Sequence, residues 1–318
     1  MSRKADSALD LVLPATSANL GPAFDAAALA FRLYLSVRAH GAPAFSIKAE
    51  GRDADICGQL ENHLILTTYR EVLEAQGKDV TPLALQVENE MPIGKGCGSS
   101  AAARLAGVAL AVHFGKLGWN DSRIIGEASR REHHPDNAAA CWMGGICVAR
   151  MCGEYKVQAV KIAPKGKWPL LFAVPNAVLS TEEARRVLPD QYPRAEVVSN
   201  VQNSMLLLAA FVQGRHKLLA SALQDKIHQP YRARLCPLLP VMQEMQAKQG
   251  VLRVALSWAG PSVLVFLDPA YPAKKTKATI ERHLNEHGLS AELFLTTIAE
   301  KGASEQPGWR KASRRSRR

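Results

Sequence analysis

Several features that would place the chain in a particular class of protein are missing from its sequence. The six cysteines form no C-x-x-C pair, so neither a zinc site nor a disulfide framework is indicated. No apolar run reaches the length of a bilayer-spanning helix, and the N-terminus, with an acidic residue inside a short apolar stretch, is unlike a secretory signal. These absences predict a cytoplasmic protein with reduced thiols and no membrane segment.

Positive charge is abundant in the chain but concentrated at one end of it. The formal net charge is +11, and residues 310–318 carry six basic side chains and no acidic one. More than half of the excess charge therefore lies in residues 308–318, which we expect to be a disordered basic tail. Because the rest of the chain shows no interleaving of aromatic and basic residues, nucleic-acid binding is not expected outside this tail.

The order of the apolar patterns predicts an α+β protein of two domains. At 318 residues with 47% hydrophobic side chains, the chain is long enough for two ordinary cores. Strand patterns come in hairpin pairs, such as GGICVARM followed by YKVQAVKI, rather than in strict βαβ alternation. PKGKWP, residues 164–169, is the best candidate linker, so we expect an N-terminal domain over residues 1–165 and a C-terminal domain over residues 166–307.

The stretch MPIGKGCGSSAAARLAGVAL, residues 91–110, places three glycines on alternate positions ahead of an alanine-rich helix. A phosphate group needs several backbone N–H donors aimed at one spot, and glycine allows that close approach. The helix N-terminus adds unpaired N–H groups and a favourable dipole, and Ser99 or Ser100 offers a hydroxyl for Mg²⁺. The spacing matches neither common glycine-rich nucleotide motif. By itself, the loop indicates a phosphate cradle, with an ordinary turn as the alternative.

The pattern P-x-G-x-G-x-G-S-S-A resembles the nucleotide loop of the GHMP kinase superfamily. Further segments are similar, in the same order, to those of homoserine kinases: LPATSANLGPAFDA, HPDNAAA, LSTEEAR, DKIHQPYR and SWAGPSV. The resemblance implies a ribosomal S5 domain 2-like N-terminal domain and a ferredoxin-like C-terminal domain, with ATP in the cleft between them. It also implies ATP-dependent phosphorylation of the L-homoserine side-chain hydroxyl to O-phospho-L-homoserine, for threonine biosynthesis. Homodimers are common in the family.

The resemblance further implies the residues of each site. The residues expected to bind ATP are Asn62, Pro92, Ile93, Gly94, Lys95, Gly96, Cys97, Gly98, Ser99, Ser100, Ala101 and Ala102. Those expected to bind the amino-acid substrate are Asn19, Asp25, His134, Asn137, Thr181, Arg185 and Arg232. Mg²⁺ would be held by Ser100 with a glutamate from the helix before H-P-D-N. We predict Glu127 for that role, with Glu132 as the alternative.

These residue types suit a homoserine zwitterion. Asp25 can accept hydrogen bonds from the ammonium, and Arg185 and Arg232 can hold the carboxylate through charge-assisted bonds. Asn137 stands where other members of the superfamily carry an aspartate, so we predict no dedicated general base. Asn137, Arg185 and Ser100 are the candidate catalytic residues. Taken singly, each polar residue of the site could instead have an ordinary structural role in a turn, a cap or a solvated helix face.

Three positions depart from the family pattern. Ala23 stands in place of a glycine, which would cost about 1 kcal/mol if its φ is positive. Trp258 replaces the glycine of S-G-A-G-P-T and could narrow the acceptor pocket. Arg104 interrupts a helix face of small residues and could reach toward phosphate.

Two alternative functions follow from these departures and from the basic tail. One is a GHMP-type kinase that acts on another small hydroxylated acceptor. The other is a non-catalytic paralogue that binds nucleotides or RNA. The polar set at Asp25, Arg185 and Arg232 argues against the first, since an acceptor without amine and carboxylate would leave these groups unpaired.

Overall fold

The computed structural model describes residues 8–316 and places them around two sheets. The first sheet contains β1 (Leu9–Ala18), β2 (Ala27–Gly41), β3 (Ser46–Gly51), β4 (Leu83–Asn89), β5 (Ile146–Met151) and β6 (Val157–Ile162). Its order is β3-β4-β2-β5-β6, with β1 paired to β2. The β3–β4 pair is parallel and the other pairs of this sheet are antiparallel. The long strand β2 therefore organises the sheet, because it pairs with β1, β4 and β5.

Five helices accompany this sheet, and the glycine loop leads into the third of them. They are α1 (Ala54–Cys57), α2 (Leu64–Ala75), α3 (Ser99–Phe114), α4 (Asp121–Glu132) and α5 (Asp136–Met143). Most of α3 is buried, because its alanines and glycine let neighbouring elements come close. A Cβ on Gly107 would lie 2.5 Å from the carbonyl oxygen of Ile65, so α2 packs directly on the α3 backbone. The small residues thus fix α3, and the loop before it, against the sheet.

The second sheet contains β7 (Pro169–Pro175), β8 (Val251–Leu256), β9 (Val263–Leu267) and β10 (Ala291–Thr297), in the antiparallel order β10-β7-β9-β8. The remaining helices are α6 (Thr181–Arg186), α7 (Arg194–Gln213), α8 (Leu219–Ala222), α9 (Gln229–Arg232), α10 (Leu238–Gln243), α11 (Ala273–Glu286) and α12 (Pro307–Ser316). The predicted boundary at residues 165 and 166 falls between β6 and β7, and stays a proposal.

Helix α7 holds the loop that follows β1. The Asn200 amide donates to the carbonyl oxygen of Pro22 at 2.6 Å, and the Ser204 hydroxyl donates to the same oxygen at 2.8 Å. By length and composition α7 is also apolar enough to cross a membrane, and it is the one such helix in the described part of the chain. A single helix of this kind is weak evidence for a membrane span. The expectation that no apolar stretch is long enough to span a bilayer is therefore wrong for α7. The absence of a membrane segment stays a prediction.

The end of the chain differs from the prediction of a disordered tail. Residues 307–316 form α12, which packs on β1. The Trp309 ring is buried and lies 5.0 Å from the Trp142 ring, and Ala312 is buried as well. A Cβ on Gly308 would collide with the backbone of Asp10, so this glycine allows the helix to dock. Disorder is therefore wrong for residues 308–316, because two apolar side chains among the basic ones give the segment a buried face. Residues 317 and 318 lie outside the described part.

Replacement of Trp309 by alanine tests this docking. We expect a loss of about 3 kcal/mol in the free energy of unfolding, since the change empties a buried aromatic site. Urea unfolding followed by circular dichroism measures it. The exposed neighbour Arg310 provides the matched control, and Arg310→Ala should change stability by no more than about 0.5 kcal/mol. Equal stabilities of the two variants would show that α12 is not anchored.

Candidate active site

A cleft of about 780 Å³ runs along the glycine loop. This is the size of cavity that commonly holds a nucleotide or cofactor. Its apolar wall comes from β2, β4 and the α1–α2 region: Leu35, Ile56, Leu64, Ile65 and Val87. Ser100, Glu132, Thr181 at the start of α6, and Trp258 line the cleft as well. The sequence did not predict this apolar wall. Its side chains come from separate parts of the sequence and form no motif, and only the fold brings them together.

The glycine loop is left-handed at each of its alternate glycines. The φ angles of Gly94, Gly96 and Gly98 are 69°, 81° and 70°. A Cβ on Gly98 would collide with the Thr16 hydroxyl, and a Cβ on Gly96 would lie 2.8 Å from the Ser257 carbonyl oxygen. Glycine is therefore required at these two positions by both backbone conformation and space. The loop ends at α3, whose free N–H groups face an incoming anion.

The residues predicted to bind ATP fall into two groups. Seven of them line the cleft: Asn62, Ile93, Gly94, Gly96, Gly98, Ser99 and Ser100. Five do not line it: Pro92, Lys95, Cys97, Ala101 and Ala102. The Cys97 thiol is fully buried and contacts the Pro92 carbonyl oxygen at 2.9 Å. The Lys95 ammonium donates to the carbonyl oxygens of Asn176 and Ala177, so it ties the loop to the segment after β7.

The carboxylate beside Ser100 belongs to Glu132. The Ser100 hydroxyl donates to Glu132 Oε2 at 2.8 Å, and Arg104 Nε donates to Glu132 Oε1 at 2.5 Å. Only 5% of the Glu132 side chain is exposed, so this carboxylate needs a cation beside it.

Glu127, the predicted partner of Ser100, lies elsewhere. Its carboxylate is paired with Arg123, Arg130 and Arg131. Glu127 therefore supports α4, Glu132 rather than Glu127 is the glutamate beside Ser100, and the metal role of either stays a prediction. Glu132 is the last residue of α4, where the helix reaches the glycine loop.

The loop after β1 is folded by its own polar residues. Asn19 and Asp25 have positive φ angles of 71° and 53°, and Asn19 Oδ1 accepts from the Asp25 backbone N–H at 2.9 Å. The Asn19 amide donates to the Trp258 carbonyl oxygen at 2.9 Å. Ala23 is buried and is not among the positive-φ residues, so alanine adds no left-handed strain there. The expected cost at Ala23 is thus absent.

Two predicted substrate residues contact each other directly. The Arg185 guanidinium donates to both carboxylate oxygens of Asp25, at 2.9 and 3.0 Å. Phe24 lies beside this pair, with the Arg185 and Arg232 guanidinium groups 5.6 and 5.2 Å from its ring centre. Sequence reasoning missed Phe24, although it immediately precedes Asp25 in the matched segment. Its ring gives both cations a favourable face without neutralising them.

Arg232 is held rigidly inside the protein. Its Nε donates to the Ala184 carbonyl oxygen at 2.9 Å, and NH1 donates to the Trp258 carbonyl oxygen at 3.0 Å. Burial, and then the Arg185 charge, lower the pKa of Arg232 to about 10, so it stays cationic at neutral pH. His228 supports it: Nε2–H donates to the Gly21 carbonyl oxygen at 2.8 Å, which leaves Nδ1 to accept from Arg232 at 3.3 Å. Burial lowers the pKa of His228, in keeping with this neutral form.

His134 is fixed between a carboxylate and an indole. Its Nδ1 contacts Asp136 Oδ1 at 2.6 Å, and Trp258 Nε1–H donates to its Nε2 at 3.1 Å. The indole contact requires a neutral imidazole with its proton on Nδ1. Burial lowers the pKa of His134, but the carboxylates, Asp136 first, outweigh burial and raise it overall. Ligand atoms of Asp25, His134 and Asp136 all lie within 4.8 Å of one another, which makes this corner acidic.

Asn137 joins the acidic corner to the glycine loop. Its Oδ1 accepts from the Thr16 hydroxyl at 2.7 Å, directly behind Gly98. Thr181, at the start of α6, lines the cleft near Trp258. The structure therefore gathers Asn19, Asp25, His134, Arg185 and Arg232 around the Trp258 segment, with Asn137 and Thr181 at the border of the nucleotide cleft.

Known proteins are similar to this chain in sequence and in fold. Family models described as "GHMP kinases N terminal domain" and "GHMP kinases C terminal" match residues 63–145 and 207–286. Homoserine kinase of Solibacter usitatus is 40% identical over 92% of this chain and 95% of its own length. Homoserine kinase of Synechocystis is 35% identical over 92% of this chain and 96% of its own. The crystal structure of homoserine kinase from Cytophaga hutchinsonii superposes with a TM-score of 0.79 at 22% identity, covering 95% of this chain and 98% of that one.

The two-sheet fold and the glycine loop before α3 define the class of GHMP kinases. The chain belongs to this family and, within it, to the homoserine kinases.

Proposed function

We infer that this chain transfers the γ-phosphoryl group of ATP to the side-chain hydroxyl of L-homoserine and forms O-phospho-L-homoserine, a step toward threonine. One observation supports this function most strongly: an ion pair between Asp25 and Arg185 lies beside the buried Arg232, next to the phosphate loop. A free amino acid carries one positive and one negative group, and this site offers one partner to each. Cytoplasmic location and homodimerisation stay predictions.

The zwitterion would bind by exchange of partners. Its ammonium takes the place of Arg185 at Asp25, and its carboxylate takes the place of Asp25 at Arg185. Arg232 NH2, which has no hydrogen-bond partner among residues 8–316, adds a second cationic contact to the carboxylate. After the exchange every charge is paired again. An acceptor without one of the two charged groups would leave Asp25 or Arg185 unpaired in a half-buried site.

Ser100 and Glu132 are the residues that would hold Mg²⁺. They fit a hard cation, because both offer oxygen atoms and the Glu132 carboxylate is almost fully buried. When bound with ATP, Mg²⁺ neutralises phosphate charge. Arg104 supplies the cation at Glu132 in the present structure. A metal ion at Glu132 would leave the Arg104 guanidinium, on the second turn of α3, free to contact phosphate oxygens.

Asn137 orients rather than accepts a proton. A neutral amide is not a base at neutral pH, and its oxygen already accepts from Thr16. We therefore propose that catalysis rests on position and charge, with the hydroxyl proton passing to a phosphate oxygen or to water. Ser100 acts at the metal and phosphate end of the site, and Arg185 at the amino-acid end.

Trp258 is the residue that would set acceptor size. It has a φ of 55°, a strained angle for a large side chain, and yet its indole is placed between the cleft and His134. The family glycine at this position would leave that space open. The indole thus favours a short acceptor such as homoserine.

Replacing Arg185 tests the amino-acid site. In Arg185→Ala we expect the KM for L-homoserine to rise about 100-fold, roughly the loss of a charge-assisted pair of 3 kcal/mol. A coupled ADP-release assay measures it. Arg186 is the matched control on the same helix, because its side chain is 74% exposed and pairs only with Glu182 among the described residues. Arg186→Ala should stay within about twofold of the parent, and equal effects of the two changes would refute the site.

Replacing Glu132 tests the metal position. Glu132→Gln should raise the Mg²⁺ concentration that half-saturates ATP binding at least tenfold, because one anionic oxygen ligand is lost. Fluorescence of a nucleotide analogue reports binding without turnover. Glu127→Gln should lower thermal stability, since three arginines lose a buried carboxylate beside them, and leave the Mg²⁺ requirement unchanged. If Glu127→Gln raised the Mg²⁺ requirement and Glu132→Gln did not, Glu127 would be the metal ligand instead.

Replacing Trp258 tests acceptor selection. Trp258→Gly should lower the ratio of kcat/KM for L-homoserine over L-5-hydroxynorvaline, one methylene longer, by about tenfold. Trp258→Phe keeps most of the bulk and should preserve that ratio, although it loses the N–H donated to His134. An unchanged ratio in the glycine variant would mean that the indole does not bound the acceptor pocket.

A further inference from the structure

Away from the cleft, one carboxylate and two imidazoles meet at the ends of two helices. Glu244 follows α10, His283 lies in the last turn of α11, and His287 follows α11. Glu244 Oε2 lies 3.3 Å from His287 Nε2 and 3.5 Å from His283 Nε2. We propose that these three side chains form a binding site for a divalent transition-metal ion of the Zn²⁺ type, separate from the site for Mg²⁺-ATP.

The hydrogen bond on the far side of His287 turns its other ring nitrogen toward Glu244. His287 Nδ1 lies 2.9 Å from the backbone carbonyl oxygen of His283, and a carbonyl oxygen can only accept. The ring proton of neutral His287 is therefore on Nδ1, and the lone pair on Nε2 faces the Glu244 oxygen. Two acceptors at 3.3 Å repel each other unless a proton or a metal ion lies between them, and this pair is therefore placed to hold a metal ion. A backbone carbonyl that fixes the outer ring nitrogen is also the usual support of a metal-binding histidine.

The two nitrogen–oxygen separations fit tetrahedral coordination. Metal bonds of about 2.0–2.1 Å to nitrogen and oxygen place the ligand atoms of a tetrahedron roughly 3.3 Å apart. The two nitrogen–oxygen distances here are 3.3 and 3.5 Å, and the ligand atoms of the three residues all lie within 4.8 Å of one another. Positions i and i+4 lie on one face of a helix, so His283 in the last turn of α11 and His287 just after it come to the same side. Two imidazoles and one carboxylate favour Zn²⁺ over Mg²⁺ or Ca²⁺.

Metal binding changes one hydrogen bond. His283 Nε2 lies 3.0 Å from the Val241 carbonyl oxygen and therefore carries its proton in the present structure. Coordination moves that proton to Nδ1 and gives up the bond to Val241. The side chains of His283, His287 and Glu244 are 20%, 36% and 53% exposed, so an ion can enter from solvent and keep a water as fourth ligand. The bound ion joins α10 to α11 over the second sheet.

Isothermal titration of untagged, metal-stripped protein with Zn²⁺ tests the site, and Co²⁺ absorption reports its geometry. We expect one Zn²⁺ per chain at this site with a tetrahedral Co²⁺ spectrum, a raised melting temperature, and at least tenfold weaker binding in His283→Ala, His287→Ala and Glu244→Gln. His40→Ala, which removes an exposed histidine of β2, should bind as the parent does.

A second variant tests whether zinc binds at a different place in the protein. Asp25, His134 and Asp136 form another group of metal-type ligands, inside the amino-acid site. Binding that persists in the His283→Ala/His287→Ala double variant but is lost in Asp136→Asn would assign the ion to that corner and overturn the proposal. Absence of Zn²⁺ binding to the parent protein would overturn it too. Neither outcome depends on kinase activity.

Discussion

The close contact between the glycine loop and the end of β1 is the constraint on which the rest of the site depends. The Thr16 backbone N–H donates to the Cys97 carbonyl oxygen at 3.0 Å, and the Thr16 hydroxyl fills the space that a Cβ on Gly98 would need. The Ser257 hydroxyl donates to the Gly96 carbonyl oxygen at 2.6 Å, which brings the segment after β8 to the same loop. Residues far apart in sequence thus share one corner, and the absence of a side chain at two glycines permits it.

Two groups of candidate site residues meet at this corner. The loop and the start of α3 line the cleft, where the Ser100–Glu132 pair lies. The segment after β1 brings Asp25 to Arg185. Trp258 belongs to both groups, since its carbonyl oxygen accepts from Asn19 and Arg232 and its indole contacts His134. Position and charge complementarity, rather than a strong base, are what such an arrangement provides.

Much of the fold and site could be predicted because the informative residues lie in short contiguous segments. The glycine loop and the segments around Asp25, Asn137, Arg185 and Arg232 are local patterns, and the homoserine kinase relatives confirm the family that they indicate. The predicted α+β class is confirmed as well. Individual site roles stay predictions, since geometry alone supports them.

The errors arose where three-dimensional packing decides. Glu127 and Glu132 lie on one helix five positions apart, and only the packing of α4 against α3 shows that Glu132 reaches Ser100. Composition predicts disorder for residues 308–318, whereas Trp309 buries itself against Trp142. The role of Ala23 depends on one dihedral angle that composition does not reveal.

The acceptor-dependence of ADP release tests the homoserine kinase function most directly. Purified protein with Mg-ATP would be supplied in turn with L-homoserine, L-threonine, L-serine and mevalonate. We predict release that depends on L-homoserine and exceeds that with each other acceptor at least tenfold. Equal release with mevalonate, or no release with any acceptor from protein that binds ATP, would contradict the proposed function.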